Sequence, residues 1–146
     1  PEKRKEITTE GGLNLNKKKI FLKKIINKLK KNKIRVTLFI EPKISDVILS
    51  KKLGADSVEF HTGRFCNLIN NKKKINKEYS KIKNAAIFSS KIGLDVHAGH
   101  GLTYESAKVI SNIKEINEYN IGHFIISESI FIGLKNSIKK FLKILK

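Results

Sequence analysis

Val96-His97-Ala98-Gly99-His100-Gly101-Leu102-Thr103 carries the end of a short strand, Leu94-Asp95-Val96-His97, through a histidine set between two glycines and on to a helix. Thr103 can cap that helix, and Glu105, in its first turn, suits the positive end of the helix dipole. Glycine on both sides lets the backbone approach a ligand closely, and a histidine in such a turn can move protons near neutral pH. Taken alone, a Gly-His-Gly turn is equally an ordinary solvent-facing loop.

Downstream, Tyr119-Asn120-Ile121-Gly122-His123 forms the final strand region and places a second glycine-histidine pair in the same relation to the helix that follows. The last helix carries Leu134, Ile138, Phe141, Leu142 and Leu145 on one face. Upstream, Asn16 can cap a helix whose apolar stripe is Phe21, Leu22, Ile25, Ile26 and Leu29. The β-branched run 34–40 reads as a strand, Pro42 punctuates its exit, and a helix over 45–53 is closed by Gly54. Val58-Glu59-Phe60-His61 is the next strand, and a polar Asn- and Lys-rich connection leads to a helix over 78–91 ended by Gly93. Alternating strands and helices imply parallel strands joined by right-handed crossovers, so the class is α/β. Two architectures remain, an open doubly wound sheet and the back half of a (β/α)8 barrel. Length alone favours the first, since a whole barrel needs roughly 250 residues.

Side chains alternate along a strand, so Glu59 and His61 share one face while Val58 and Phe60 share the other. In a barrel the first face is the interior. In an open sheet the same pattern is the polar side of a half-exposed edge strand. Barrels commonly hold phosphate in the loops after strands seven and eight, on backbone amides and a helix N-terminus. Should the two glycine-histidine pairs follow the last two strands, they lie at that place. Thr8-Thr9-Glu10-Gly11-Gly12 is a small polar loop that suits a phosphorylated sugar and is by itself unremarkable. His97 and Cys66 lack partners at metal-ligand spacing, and neither a Gly-x-Gly-x-x-Gly nor a Walker-type loop is present, so zinc, dinucleotide and nucleoside triphosphate chemistry are not expected.

The 146 residues suit a single domain, 1–146. One cysteine excludes an intrachain disulfide, and with no secretory signal and no long apolar run the expected compartment is the cytoplasm. The net charge of +18 raises nucleic acid or an anionic membrane as partners. The excess is nearly all Lys, however, in runs such as Lys17-Lys18-Lys19 and Lys72-Lys73-Lys74 among many Ile and Asn, which fits a solvated surface of biased composition. The absence of Met and the opening Pro1-Glu2-Lys3-Arg4 together suggest a start inside a larger protein.

Read in order, Pro1-Glu2-Lys3-Arg4, Thr8-Thr9-Glu10-Gly11-Gly12-Leu13, Glu59-x-His61-Thr62-Gly63, Ala98-Gly99-His100-Gly101-Leu102 and Asn120-Ile121-Gly122-His123 resemble the pyridoxine 5′-phosphate synthase family over nearly the whole chain. Ile132-Gly133-Leu134 also fits that family's last helix. The resemblance implies the C-terminal portion of a (β/α)8 TIM barrel, roughly its last four to five βα units, with parallel strands alternating with helices. It implies condensation of 1-deoxy-D-xylulose 5-phosphate with 3-amino-2-oxopropyl phosphate, without metal or organic cofactor, in a homo-oligomer that is octameric by family habit. Nucleic acid and membrane are not among the implied partners.

Carried over by motif, His100 matches the proton donor, and Gly101, Gly122 and His123 match the residues that hold the aminoketone phosphate. Thr8 matches a contact to the deoxyxylulose phosphate, and Glu59 an interior carboxylate near the substrates. Two positions depart from the pattern: His97 stands where Asn is usual, and Glu128 where a basic residue is common after the last strand. The family's other acid/base His and Glu, and its arginine contacts, belong to first strands that this sequence does not contain, so the chain alone is expected to be inactive. The competing readings are another phosphate-binding barrel lyase or isomerase and, on the Lys runs alone, a basic nucleic-acid-binding domain.

Overall fold

Short β-branched runs followed by amphipathic segments fold into repeating strand-helix units. The computed structural model describes residues 11–17 and 19–145. Helix α1 (Lys19–Lys31) precedes strand β1 (Thr37–Ile40). Then come α2 (Ile44–Leu53), β2 (Ser57–His61), α3 (Gly63–Asn70), α4 (Asn76–Lys91), β3 (Asp95–Gly99), α5 (Tyr104–Ile110), β4 (Ile116–Asn120), α6 (His123–Ile132) and α7 (Leu134–Ile144). The four strands form one sheet in the order β1-β2-β3-β4, and every pair is parallel.

That order settles what length could not. A doubly wound sheet reverses its winding at a switch point, whereas here each strand lies beside the one before it throughout. The winding is that of a barrel segment. It also makes β2 an interior strand, hydrogen-bonded on both sides, so the edge-strand reading of Glu59 and His61 does not hold.

The alternation of side chains divides the sheet into two chemistries. Leu38, Ile40, Val58, Phe60, Val96 and Ala98 face the helices, and all are buried against residues such as Val47, Ile82, Ala86 and Ile110. Burying a side chain such as Phe60 fully contributes about 2–3 kcal/mol. The opposite face is polar and runs in rows across the register. Phe39, Glu59, His97 and Glu118 lie in one row; His61, Gly99 and Asn120 lie in the next, toward the carboxyl ends of the strands. A shift of register between Val96 and His97 puts Asn117 out of step, and its side-chain oxygen accepts the Val96 N–H at 3.0 Å in place of a ladder bond.

Several local expectations are corrected. The chain enters α1 through a turn over 15–17, so the helix does not start directly from Asn16. Strand β1 is shorter than the run 34–40 because the Asp56 carboxylate takes the Val36 N–H at 3.0 Å. Strand β4 ends at Asn120, and His123 is the first residue of a helix rather than the last of a strand. The polar connection after β2 contains α3, whose Phe65, Cys66 and Ile69 are buried at helical spacing beneath an Asn-rich surface. The final apolar segment is two helices, because Gly133, at φ +79, separates α6 from α7. Thr103 caps α5 as expected, in a capping box with Ser106.

An aromatic cluster fixes α6 and α7 against α5. The Tyr104 ring meets Phe124 at 4.9 Å and Phe141 at 4.5 Å, and its hydroxyl lies 3.2 Å from Ser137 Oγ. Because Phe124 follows His123, this cluster sets the position of the second glycine-histidine pair. The outer side of α6 remains uncovered among the described residues, with Ile130 79% and Phe131 83% exposed. Lys17, Lys19, Lys72, Lys73 and Lys74 are exposed as well, and no helix among the described residues is long and apolar enough to cross a membrane.

Candidate active site

The polar face of the sheet opens at the carboxyl ends of its strands into a cleft of about 670 Å³. Glu59, His100, Gly101, Gly122 and His123 all line it, although they come from three different strand ends or loops. Thr8 lies outside the described residues.

His100 sits immediately after β3 in the left-handed region, at φ +77, and Gly101 follows at φ +80. For a residue with a Cβ this conformation costs on the order of 1–3 kcal/mol and persists only where surrounding contacts enforce it. Thr62 supplies them. It is completely buried, its N–H donates to the Gly99 carbonyl at 2.9 Å, and its hydroxyl shares one proton between the carbonyls of Gly99 and His100, each 2.8 Å away. The Cys66 thiol, one helical turn on, also points at the His100 carbonyl, 3.7 Å away. Burial pushes that thiol's proton affinity up, so Cys66 is a neutral packing group here.

Glu59 depends on a glycine. A Cβ built on Gly99 would fall inside the Glu59 carboxylate, so the bare backbone of β3 is the space the carboxyl occupies. Its pKa is raised, first by burial and further by the neighbouring Glu118, while a hydrogen bond from Asn120 works the other way. A carboxyl so placed retains its proton to higher pH than usual and can give or take one beside a substrate.

Gly122 is the N-cap of α6, and no side chain accepts the first N–H groups of that helix. A Cβ on Gly122 would meet no protein atom within 4 Å. The glycine is therefore not required by internal packing; it leaves a bare helix start facing the cleft, with His123 beside it. Free N–H groups at a helix start favour an anion.

Three residues near the cleft receive no role from the sequence, although His61 and Asn120 stand within its motifs. Asn120, the last residue of β4, holds Glu59. Glu41 and His61, just past β1 and at the end of β2, pair through Glu41 Oε1 and His61 Nδ1 at 3.0 Å. The His61 and His100 rings lie 4.7 Å apart between centroids. A position at the carboxyl end of a parallel strand is the signal that could have found all three.

Neither departure from the motif pattern lines the cleft. His97 is one row deeper, 5% exposed, with Nδ1 3.4 Å from Glu118 Oε1. Burial lowers its pKa despite that carboxylate, which favours the neutral ring. Glu128 sits partly buried on α6. Among the described residues, no three His, Cys, Asp or Glu side chains converge as metal ligands would.

Comparison with known proteins bears on this arrangement directly. The family model described as pyridoxal phosphate biosynthesis protein PdxJ matches residues 1–146. A pyridoxine 5′-phosphate synthase of Pelagibacter ubique (strain HTCC1062) is 52% identical over 144 residues, covering 99% of this chain and 60% of the relative. One from Campylobacter fetus subsp. fetus (strain 82-40) is 46% identical, covering 100% of this chain and 65% of the relative. One from Sulfurihydrogenibium sp. (strain YO3AOP1) is also 46% identical, covering 99% and 59%. The chain thus spans 60%, 65% and 59% of the lengths of these curated relatives.

Proposed function

The chain belongs to the pyridoxal phosphate biosynthesis protein PdxJ family, and from that premise we propose that it forms the proton-donating and phosphate-holding part of a pyridoxine 5′-phosphate synthase. In the complete barrel, of which residues 1–146 supply one portion of a single domain, 1-deoxy-D-xylulose 5-phosphate condenses with 3-amino-2-oxopropyl phosphate. The products are pyridoxine 5′-phosphate, inorganic phosphate and water.

His100 is the proton donor, set over the cleft by its left-handed turn. The proton goes to an oxygen that leaves as water or phosphate, and a positioned histidine contributes about 10²–10⁴-fold to such a step. Gly101, Gly122 and His123 hold the aminoketone phosphate, with the start of α6 offering backbone N–H groups and a favourable dipole. Glu59, its proton affinity raised, stabilises charge or relays a proton among the reacting atoms. Thr8 contacts the deoxyxylulose phosphate. The reaction needs no metal or organic cofactor, the assembly is a homo-oligomer, an octamer by family resemblance, and the enzyme works in the cytoplasm.

The observation that most supports this reading is the convergence of His100, Glu59, Gly122 and His123 on one cleft at the carboxyl ends of parallel strands. A direct test supplies both substrates to the complete enzyme and, separately, to the 146-residue chain, and measures pyridoxine 5′-phosphate. Turnover by the complete enzyme with none by the chain alone is expected. A complete enzyme that instead cleaves or isomerises a single phosphorylated sugar would replace this reading with the barrel lyase or isomerase, and robust turnover by the chain alone would overturn the division of labour.

A further inference from the structure

We propose that Glu41 and His61 form a positioning pair that orients the His100 ring, an inference that rests on His100 being the proton donor. Glu41 is the first residue past β1 and His61 the last of β2, so the register of two adjacent parallel strands brings them together at the carboxyl ends of those strands. Glu41 Oε1 accepts the Gly12 N–H at 3.3 Å and lies 3.0 Å from His61 Nδ1. A carboxylate only accepts, so the proton of the neutral His61 ring resides on Nδ1 and the lone pair on Nε2.

The remaining faces of His61 are occupied by rings. Phe39 stands edge-on at 5.5 Å, and His100 lies 4.7 Å away, tilted by 52°. The two histidines meet over Gly63, where a Cβ would come within 2.8 Å of His61 Nε2 and 2.9 Å of His100 Cδ2. A glycine at the first turn of α3 is therefore the space that lets the rings close on each other. His61 Nε2 is fully buried and has no hydrogen-bond partner, which is rare for a polar atom and needs a reason. Its lone pair lies on the side where Gly63 and His100 approach the ring.

His61 does not line the cleft, whereas His100 does. The pair acts through His100 and not on the substrate. Glu41 fixes the tautomer and rotation of His61, and His61 in turn presents a rigid face against which a catalytic ring on a left-handed turn is held. An orienting acid behind a histidine is a recurring device, here extended by one ring.

The test uses the complete enzyme carrying Glu41→Ala, His61→Ala or His100→Asn, and the doubles with His100→Asn. Each single change at Glu41 or His61 is expected to lower kcat by about 10- to 100-fold, the effect of a misplaced catalytic group, with KM for both substrates within about twofold. In the His100→Asn background the same changes should cost nothing further in kcat. Long-range ¹H–¹⁵N spectra of the histidine side chains should show His61 protonated on Nδ1, and Glu41→Ala should abolish that tautomer and shift the His100 resonances. Undiminished additive losses in the His100→Asn background, or a His61 proton on Nε2, would overturn the proposal. Full turnover by His100→Asn would instead remove the proton-donor assignment, and the spectra alone would then decide whether the pair orients that ring.

Discussion

Replacing Thr62 with valine removes one hydroxyl and nothing else of consequence in volume, yet that hydroxyl is what holds the His100 turn. It shares its one proton between two carbonyls, each 2.8 Å away, from a position with no solvent exposure, so water cannot take its place. The Gly99 carbonyl keeps the Thr62 N–H, and the His100 carbonyl keeps the weaker Cys66 thiol. The loss therefore falls at the lower end for a buried polar group left short of a partner, about 1–2 kcal/mol. For a barrel of roughly 250 residues, at about 2–4 °C per kcal/mol, Tm should fall by about 2–8 °C. Function should suffer more than stability. His100 occupies a left-handed conformation that relaxes once its carbonyl is released, and displacement of a catalytic group by 1 Å costs up to about 100-fold. Steady-state pyridoxine 5′-phosphate formation and a thermal melt on the complete enzyme read both effects, and Thr62→Ser, which keeps the hydroxyl, should restore most of kcat. Wild-type kcat and Tm in Thr62→Val would refute the claim that this hydroxyl enforces the turn.

Gly99→Ala drives a methyl into the Glu59 carboxylate and within 3.1 Å of Asn120 Cβ, so it should destabilise the fold by about 1–3 kcal/mol in a urea titration and reduce kcat; an unchanged midpoint would show that Glu59 lies elsewhere. Glu59 has a raised pKa in the folded state, so between the unfolded and folded values the native protein binds more protons and its stability falls as pH rises. Denaturation midpoints of wild type and Glu59→Gln should accordingly diverge as pH climbs above the ordinary carboxylate range, with the Gln variant gaining relative to wild type. Parallel curves would contradict the burial of that carboxyl.

Much of the architecture was legible because strands with one apolar face declare it by alternation. Val58 and Phe60 against Glu59 and His61 is the clearest case. Strand order was not legible, since nothing local distinguishes a sheet that keeps its winding from one that reverses it, and length pointed the wrong way. Helix α3 was hidden because Asn67, Asn70 and Asn71 resemble a loop by composition, while Phe65, Cys66 and Ile69 provide barely two turns of periodicity. The separation of α6 from α7 hinged on the left-handed backbone at Gly133, and the apolar surface of α6 carries no period to reveal an end.

At the site, the glycines flanking His100 advertised an unusual turn. The residue enforcing it, Thr62, stands in the sequence only as one position of the motif Glu59-x-His61-Thr62-Gly63. Glu41 carries no motif and Asn120 only opens one, and their role arises from register across neighbouring strands. Gly99 illustrates the same limit, because its missing side chain matters chiefly for the carboxyl of Glu59, forty residues earlier in the chain.

The central claim is that this segment brings the proton donor and a phosphate grip to one cleft, and their separation in kinetics tests it most directly. Steady-state constants for the complete enzyme should show His100→Asn lowering kcat by about 10²–10⁴-fold while KM for 3-amino-2-oxopropyl phosphate stays near wild type. His123→Ala should do the reverse, raising that KM with a smaller effect on kcat. If His100→Asn leaves kcat intact, or if both changes act alike on KM alone, the assignment of proton transfer to His100 is contradicted.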